Sequence, residues 1–297
     1  MFTRKSSALI AQAMCAGAVA TVVVTATPAS AQTIVPCSAT ALSAAIAAAN
    51  GAQGGDLVLA PGCTYALTTP LPDITSTITV NARHSTLTRS STASFGILSV
   101  ASGGKLSISD ATITNGDAPD FGGGIANRGV LHVTDSVFRD NHATYSGAIG
   151  GGSGSTTWIE RTTIQRNTAK VNGGGVANDG NMTILNSRLI GNTAGAVSGN
   201  GVGGGVANDG TLNIVRSDIN ENHADRAGGV ADIDGGTTTI KDTNVNANTA
   251  DVAPGGVLST PEPNNISGTV NLISSWVRNN RPTNCAGSNI AIAGCTN

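Results

Sequence analysis

The chain has 297 residues, of which 11% are charged and 3% are aromatic, and its 39 glycines are about twice the usual share. A formal net charge of −2 provides no basic surface for nucleic acid, so we expect no nucleic-acid partner. Regularly placed Ile, Val and Leu residues argue for a packed interior rather than a disordered chain.

The first residues are typical of a secretory signal peptide. Two basic residues are followed by an uncharged apolar run from Ala8 to Thr27 and by a small-x-small cleavage site that ends at Ala31. We therefore expect residues 1–31 to be removed and residues 32–297 to form a secreted or cell-surface protein. The alternative is an uncleaved membrane anchor. No transmembrane segment is expected after cleavage.

The cysteines predict a disulfide framework. Cleavage removes Cys15 and leaves four cysteines in an exported chain, where oxidation is expected. Four cysteines allow three pairings. Because two lie near each end of the mature chain, we predict the bonds Cys37–Cys63 and Cys285–Cys295. A zinc site is the alternative, but no CxxC spacing or nearby His accompanies these cysteines.

An internal repeat runs through the chain from Leu106 onward. Each copy reads apolar, x, apolar, two residues, small polar, x, apolar, two residues, Asn, and the seven copies start 25, 26, 25, 30, 26 and 32 residues apart. The third positions are Ile108, Val133, Ile159, Ile184, Ile214, Ile240 and Leu272, and the eighth are Ile113, Phe138, Ile164, Leu189, Ile219, Val245 and Val277. Alternation of period two around both columns predicts short strands with one buried face.

The length of the repeat favours a β-helix over a fold built from βαβ units. A repeat of about 26 residues is too short for a βαβ unit of roughly 30 or more. Each copy therefore predicts one coil of a parallel β-helix, with strands stacked at about 4.8 Å.

Two further columns mark the corners of the predicted coil. The small column, which fits a tight bend, is Ala111, Ser136, Thr162, Ser187, Ser217, Thr243 and Ser275. The last column is Asn141, Asn167, Asn192, Asn222, Asn248 and Asn280, with Gly116 in the first copy. We expect these Asn residues to adopt the left-handed conformation of a sharp corner and to hydrogen-bond from coil to coil. The alternative is a ligand-binding row of Asn.

Glycine-rich runs follow the Asn column. They include FGGGIANRG from Phe121, GGGVANDG from Gly173 and again from Gly203, and AGGVADIDGG from Ala227. A phosphate-binding loop would need a following helix, whereas each run here leads into another strand-like segment. We therefore predict a corner, a short third strand, and an Asn-Asp-Gly turn into the next coil.

Less regular coils and a cap are predicted upstream. Segments Asp56–Leu59, Thr77–Val80 and Phe95–Val100 have strand character, which gives about nine coils in total. Ser38–Gly51 predicts a helix that begins at Ser38 or Thr40 and turns Leu42, Ile46 and Ala49 to one face. The boundaries that follow are a helical cap at 32–55, coils at 56–282 and a disulfide cap at 283–297. Such caps are expected because a solenoid exposes strand edges and an apolar core at its ends.

These patterns predict an all-β fold, a single-stranded parallel β-helix. The GG[GA][IV] and [FILV]xxN motifs resemble the repeats of polymorphic outer membrane proteins, of the pectin-lyase-like β-helix class. Phe138–Asn141 matches FxxN in full, and five later copies match with an aliphatic first residue. The resemblance covers roughly Leu98–Asn280. It implies right-handed coils, exposure outside the cell and an adhesin-like role.

Candidate catalytic residues are carboxylates on neighbouring coils. One group, Asp209, Asp232 and Asp234, occurs at equivalent corners, and a second group, Asp225 and Asp251, follows column Asn residues by three positions. Either group could bind calcium or act as an acid and base pair. Aspartate is also common in glycine-rich turns for structural reasons, and we expect that role here.

The resulting functional expectation is a non-catalytic extracellular β-helix with an adhesin-like or binding role. Its partner would be an extracellular ligand such as a glycan or a surface protein. The alternative is a polysaccharide lyase or glycoside hydrolase acting on extracellular glycans. We expect no cofactor, and calcium only under the enzyme alternative.

Overall fold

The computed structural model describes residues 32–195, 201–260 and 268–297, and the predicted signal peptide at 1–31 lies outside these residues. The described chain forms a right-handed parallel β-helix of about nine coils, as the repeat predicts. Each complete coil contains four short strands, and equivalent strands of successive coils pair in parallel. The four stacks of strands are called here faces A, B, C and D, in the order in which the chain passes through them.

The strands have the following bounds. Face A contains Thr33–Val35, Gly54–Leu59, the first halves of Thr77–Arg89 and Lys105–Thr114, Val130–Thr134, Thr156–Glu160, Asn181–Leu185, Thr211–Val215, Thr237–Lys241 and Thr269–Ile273. Face B contains Thr64–Leu67, the second halves of the same two long strands, Val137–Arg139, Thr163–Gln165, Arg188–Ile190, Asp218–Asn220, Asn244–Asn246 and Trp276–Arg278. Face C contains Asp117–Phe121, His142–Tyr145, Thr168–Ala169, Thr193–Ala194, His223–Arg226 and Thr249–Val252. Face D contains Leu98–Val100, Ile125–Asn127, Ile149–Gly151, Val176–Asn178, Val206–Asn208, Val230–Asp232 and Val257–Ser259.

The aliphatic columns of the repeat form the core. Ile184, Ile214 and Ile240 lie in register on consecutive coils of face A and are fully buried. The eighth-position column stacks in the same way on face B and joins the same hydrophobic cluster. In the last described coil Leu272 is only half-buried and packs against the edge of the same cluster. Burial of apolar surface along these columns is the main stabilising term of such a fold.

The prediction of a left-handed conformation at the column Asn is wrong. The residue with positive φ is the one before it, as at Asp140 (φ 56°) and Arg166 (φ 52°). This shift by one residue lets the Asn side chain point inward. Gly116 replaces Asn in the first copy for a different reason: an added Cβ would lie 1.8 Å from the carbonyl oxygen of Gly123.

The column asparagines form the predicted ladder. Each side-chain Nδ2 donates to the Oδ1 of the next coil over 2.9 Å, in the pairs Asn141–Asn167, Asn167–Asn192, Asn192–Asn222, Asn222–Asn248 and Asn248–Asn280. The same Oδ1 accepts the backbone N–H of the preceding column Asn, as in the 3.0 Å bond from Asn167 to Asn192. Amides that are buried in the corner are therefore satisfied by one another.

The small column forms a second ladder that the sequence did not reveal. The hydroxyl of Ser187 accepts the backbone N–H of Thr162 over 3.1 Å and donates to the carbonyl oxygen of Leu185 over 2.8 Å. The hydroxyls of Ser136, Thr162, Ser217, Thr243 and Ser275 accept in the same way. Small hydroxyl side chains are therefore used at this bend for hydrogen bonding as well as for size.

The strands of face C show that each complete coil contains four strands, whereas three were predicted. The glycine-rich runs lead into a fourth strand, on face D, rather than a third, because the short strands of face C precede them. A signal was present: an Ala follows the last repeat position by two residues, and Ala118, Ala143, Ala169, Ala194 and Ala224 are all buried. Upstream, only Leu98–Val100 of the predicted strand Phe95–Val100 is extended, and Thr64–Leu67 was not foreseen.

The predicted N-terminal helix and both predicted disulfides are present. The helix Ala39–Gly51 begins after Ser38, whose hydroxyl accepts the N–H of Ala41, and it buries Leu42, Ile46 and Ala49. The disulfide Cys37–Cys63 ties this helix to the first coil, and Cys285–Cys295 closes the other end, so the predicted pairing is confirmed. Among the described residues, no helix is long and apolar enough to cross a bilayer.

Candidate functional site

A groove of about 580 Å³ runs along the outer surface of face D. Its lining residues come from several consecutive coils. One bank, at the corner between faces C and D, contains Asp120, Phe121, Tyr145 and Asn172. The opposite bank, at the corner between face D and the next coil, contains Arg128, Gly152, Asp179, Asp209, Ile233 and Asp234. We call this feature the face D groove.

The floor of the groove consists of very small residues. Gly150, Ala177 and Ala207 are the middle residues of their strands and occupy equivalent outward positions in register. A side chain at Gly150 would collide with the ring of Phe121, since an added Cβ would lie 2.4 Å from its Cδ2. The aromatic ring therefore rests directly on the backbone of the neighbouring coil, which leaves a shallow apolar surface.

The first bank carries the aromatic side chains. Phe121 and Tyr145 are paired in register at the ends of adjacent face C strands, and the Tyr145 side chain is 42% exposed. The guanidinium of Arg128 stacks over the Phe121 ring, 4.4 Å from its centroid. The same guanidinium lies 3.8 Å from the carboxylate of Asp120. Arg128, the one cationic side chain among the described lining residues, is thus engaged by a ring and a carboxylate.

The second bank carries two carboxylates at equivalent positions. Asp179 and Asp209 each follow a face D strand, and their backbone N–H groups donate to the carbonyl oxygens of Gly151 (2.7 Å) and Asn178 (2.8 Å) on the preceding coil. Their backbones are therefore one strand spacing apart, about 4.8 Å. Asp179 is exposed at the surface, and partial desolvation beside the neighbouring coils raises its pKa above the ordinary value.

The structure separates the first predicted group of carboxylates. Asp209 and Asp234 line the groove, whereas Asp232 points inward and is fully buried. One oxygen of Asp232 accepts hydrogen bonds from Thr238 (2.5 Å) and Asn208 (3.4 Å), and the other has no partner among the described residues. Burial, with a smaller contribution from the charge of Asp209, raises the pKa of Asp232 to about 6.

The second predicted group lies on face C, away from the groove lining. Asp225 and Asp251 occupy equivalent positions on adjacent strands, as predicted. Asp225 accepts the backbone N–H of Gly201, a residue of the preceding coil, over 2.5 Å. Asp251 is exposed and lies 3.8 Å from the ring of His223. The contact to Gly201 gives Asp225 a structural role.

Sequence reasoning missed Asp179, Phe121 and Tyr145. A signal for Asp179 existed, because the octapeptide GGGVANDG occurs twice and places Asp179 and Asp209 at the same position. Both residues were instead explained as parts of an Asn-Asp-Gly turn. No comparable signal marked the aromatic residues, since their positions differ between copies of the repeat.

Within residues 32–195, 201–260 and 268–297, no group of three or more His, Cys, Asp or Glu side chains is arranged to hold a metal ion. Comparisons with family models and with curated proteins find no match to this chain.

Proposed function

We propose that this protein is an exported β-helix that binds an extracellular glycan in the face D groove without cleaving it. Two disulfides support an oxidising compartment, and the signal-peptide pattern at 1–31 supports export. The GG[GA][IV] and [FILV]xxN motifs support membership of the polymorphic outer membrane protein-type repeats. An adhesin-like role at the cell surface follows from that resemblance.

The main support for this proposal is the kind of residue that lines the groove. A sugar ring has an apolar face and a rim of hydroxyl groups, so it is complemented by a small apolar floor beside aromatic rings and hydrogen-bond acceptors. Ala177 and Ala207 supply the floor, Phe121 and Tyr145 supply the rings, and Asp179 is one of the acceptors. The groove extends over several coils, which suits an extended chain rather than a compact metabolite.

Titration of the secreted protein with panels of soluble oligosaccharides tests this proposal. Each of the replacements Phe121→Ala and Tyr145→Ala is expected to weaken binding at least about tenfold, a loss of roughly 1.4 kcal/mol. Trp276→Ala is the matched control, because Trp276 is a 61% exposed aromatic residue on face B, outside the groove. Equal losses in all three variants, or no glycan bound by the wild type, would contradict the proposal.

A glycoside hydrolase is the second candidate, and one observation favours it. Asp179 and Asp209 project from adjacent coils into one groove, and the raised pKa of Asp179 suits a proton donor. Reducing-end assays on glycan panels, with and without added calcium, distinguish the two functions. Turnover by the wild type that is lost in both Asp179→Asn and Asp209→Asn would establish hydrolysis, and binding without turnover would support the lectin-like function.

A further inference from the structure

The outer surface of face D is covered at one end of the groove. The middle residue of each face D strand points outward, and these residues are in register from Ser99 to Leu258. Ser99 and Ala126 are half-buried, whereas Ala231 and Leu258 are fully buried. A leucine that points away from the core is fully buried only where other parts of the chain lie over it. The floor of the groove therefore disappears beneath side chains at its C-terminal end.

Aliphatic residues from both banks contribute to this cover. Val202 continues the first bank, because its backbone N–H donates to the side-chain oxygen of Asn172 over 3.2 Å. Ile233 follows Asp209 in the row of corner residues that forms the second bank. Val202 and Ile233 both pack against one apolar cluster on the outside of face D, which consists of Ala227, Ala231 and Leu258. The two banks thus meet the same cluster above the floor.

The C-terminal segment lies against the next part of face D. The backbone N–H of Ile290 donates to the carbonyl oxygen of Ser259 over 3.1 Å, and the N–H of Ser259 donates to the hydroxyl of Ser288 over 2.9 Å. The guanidinium of Arg226 donates to the side-chain oxygen of Asn289 over 3.2 Å. A ligand in the groove therefore cannot extend along face D past this end.

The opposite end of the groove is open. Ser102 lines the groove there and is exposed. The corner residues of the second bank, each bonded to the coil before it, are Ala101, Arg128, Gly152, Asp179, Asp209 and Ile233. The five steps between them, at the usual strand spacing, give a length of roughly 24 Å. The groove is thus long enough for several sugar residues in a row and is closed at one end.

We infer that the face D groove binds the end of a glycan chain, with the terminal sugar residue packed against Ile233 and the rest of the chain leaving past Tyr145 toward Ser102. This inference rests on the proposed glycan-binding function and adds selection of chain ends over chain interiors. An interior segment continues in both directions, so it would have to pass through the covered end. The aliphatic surface at that end complements the apolar face of a terminal sugar ring.

The stoichiometry of binding tests the inference directly. Linear oligomers of glucose, mannose, xylose, N-acetylglucosamine and galacturonic acid are titrated by calorimetry, together with chains of the same sugars that are several times longer than the groove. We expect one protein per chain at every length, and an affinity per chain that stops rising once the chain fills the groove. A groove open at both ends would instead accept interior segments, so the number of proteins bound would increase with chain length.

A replacement at the closed end then locates the terminal residue. Ile233→Ala is expected to weaken binding of short and long chains by the same factor, at least about fivefold, because every bound chain places its end there. Ile273→Ala is the matched control, since Ile273 is a 45% exposed isoleucine on face A, outside the groove lining. Thermal unfolding checks that both variants are folded, and the stoichiometry of the wild type does not depend on either.

The outcomes separate the inference from the function on which it rests. Several proteins bound to one long chain, or an affinity per chain that keeps rising with length, would overturn end recognition and leave glycan binding intact. A loss in Ile233→Ala no larger than that in Ile273→Ala would also overturn it, because the closed end would then not contact the ligand. Failure of every oligosaccharide to bind would remove the proposed function itself.

Discussion

Asp232 accepts a 2.5 Å hydrogen bond from the hydroxyl of Thr238 inside the core of the β-helix. The equivalent position is Asn178 and Asn208 in the two preceding coils, where the amide of Asn178 donates to Asn208 over 2.8 Å. A carboxylate thus replaces an amide in a buried ladder, and one of its oxygens has no partner within the described chain. Burying an ionised group in this way destabilises the folded state.

The first prediction concerns Asp232→Asn. Folding raises the pKa of this carboxyl group from 3.8 to about 6, so its protonated form favours the folded state. That stabilisation is complete below about pH 4 and is lost as the pH rises through about 6. Asparagine removes the charge, and the free energy of unfolding at neutral pH should rise by about 2 kcal/mol.

Urea unfolding of both proteins across this pH window measures the effect. The difference between wild type and Asp232→Asn should shrink toward acid pH. Asp73→Asn is a suitable control because it removes an exposed carboxylate. The prediction fails if the variant is less stable than the wild type at neutral pH or shows the same pH dependence.

A second prediction tests the Asn ladder through Asn192→Ala. The change leaves the backbone N–H of Asn167 and the carbonyl oxygen of Ile164 without their side-chain partner in a buried corner, whereas the Nδ2 of Asn167 still donates to the carbonyl oxygen of Phe138. Each unpaired group costs about 1 to 3 kcal/mol, so a loss of at least about 2 kcal/mol is expected. Chemical denaturation measures it, with Asn181→Ala at an exposed position as control. A loss as small as that of the control would show that the ladder contributes little.

Ser187→Ala provides a third prediction. Alanine fits the bend, since Ala111 occupies the same column, but the backbone N–H of Thr162 loses its acceptor. We expect a loss of about 1 to 2 kcal/mol in the free energy of unfolding. Ser187→Thr should be close to wild type, because Thr162 and Thr243 make the same bond in their coils. If alanine and threonine behave alike, the hydroxyl ladder has no measurable energetic role.

The fourth prediction tests whether the shape of the groove affects glycan affinity without affecting the free energy of unfolding. In Gly150→Ala the new methyl group displaces the Phe121 ring, which a side chain can do at modest cost, and the stacking with Arg128 is lost. Glycan affinity should fall at least about tenfold, while the free energy of unfolding changes by about 1 kcal/mol or less. Gly51→Ala is the control, since nothing lies within 4 Å of its added Cβ. Unchanged affinity in Gly150→Ala would show that the Phe121 ring is not part of the binding surface.

The sequence by itself determined the coils, their core columns, the Asn ladder and both caps. These features repeat at a fixed spacing, and alternation of apolar residues over five or more positions reveals which side chains face inward. The hydrogen bonds and the backbone conformation at the column asparagines were predicted only in part. Their coil-to-coil bonds followed from the repeat, whereas the left-handed residue was placed one position too late.

Only the tertiary structure decided the composition of the groove. A face D strand has three residues, too few for alternation to show whether Asp232 or Asp209 points outward. Insertions such as the one between Met182 and Leu212 also vary the spacing between coils, so neighbours across coils cannot be counted along the chain. The groove joins Phe121 and Asp179 because hydrogen-bond register, set by the whole stack of strands, aligns segments that are distant in sequence.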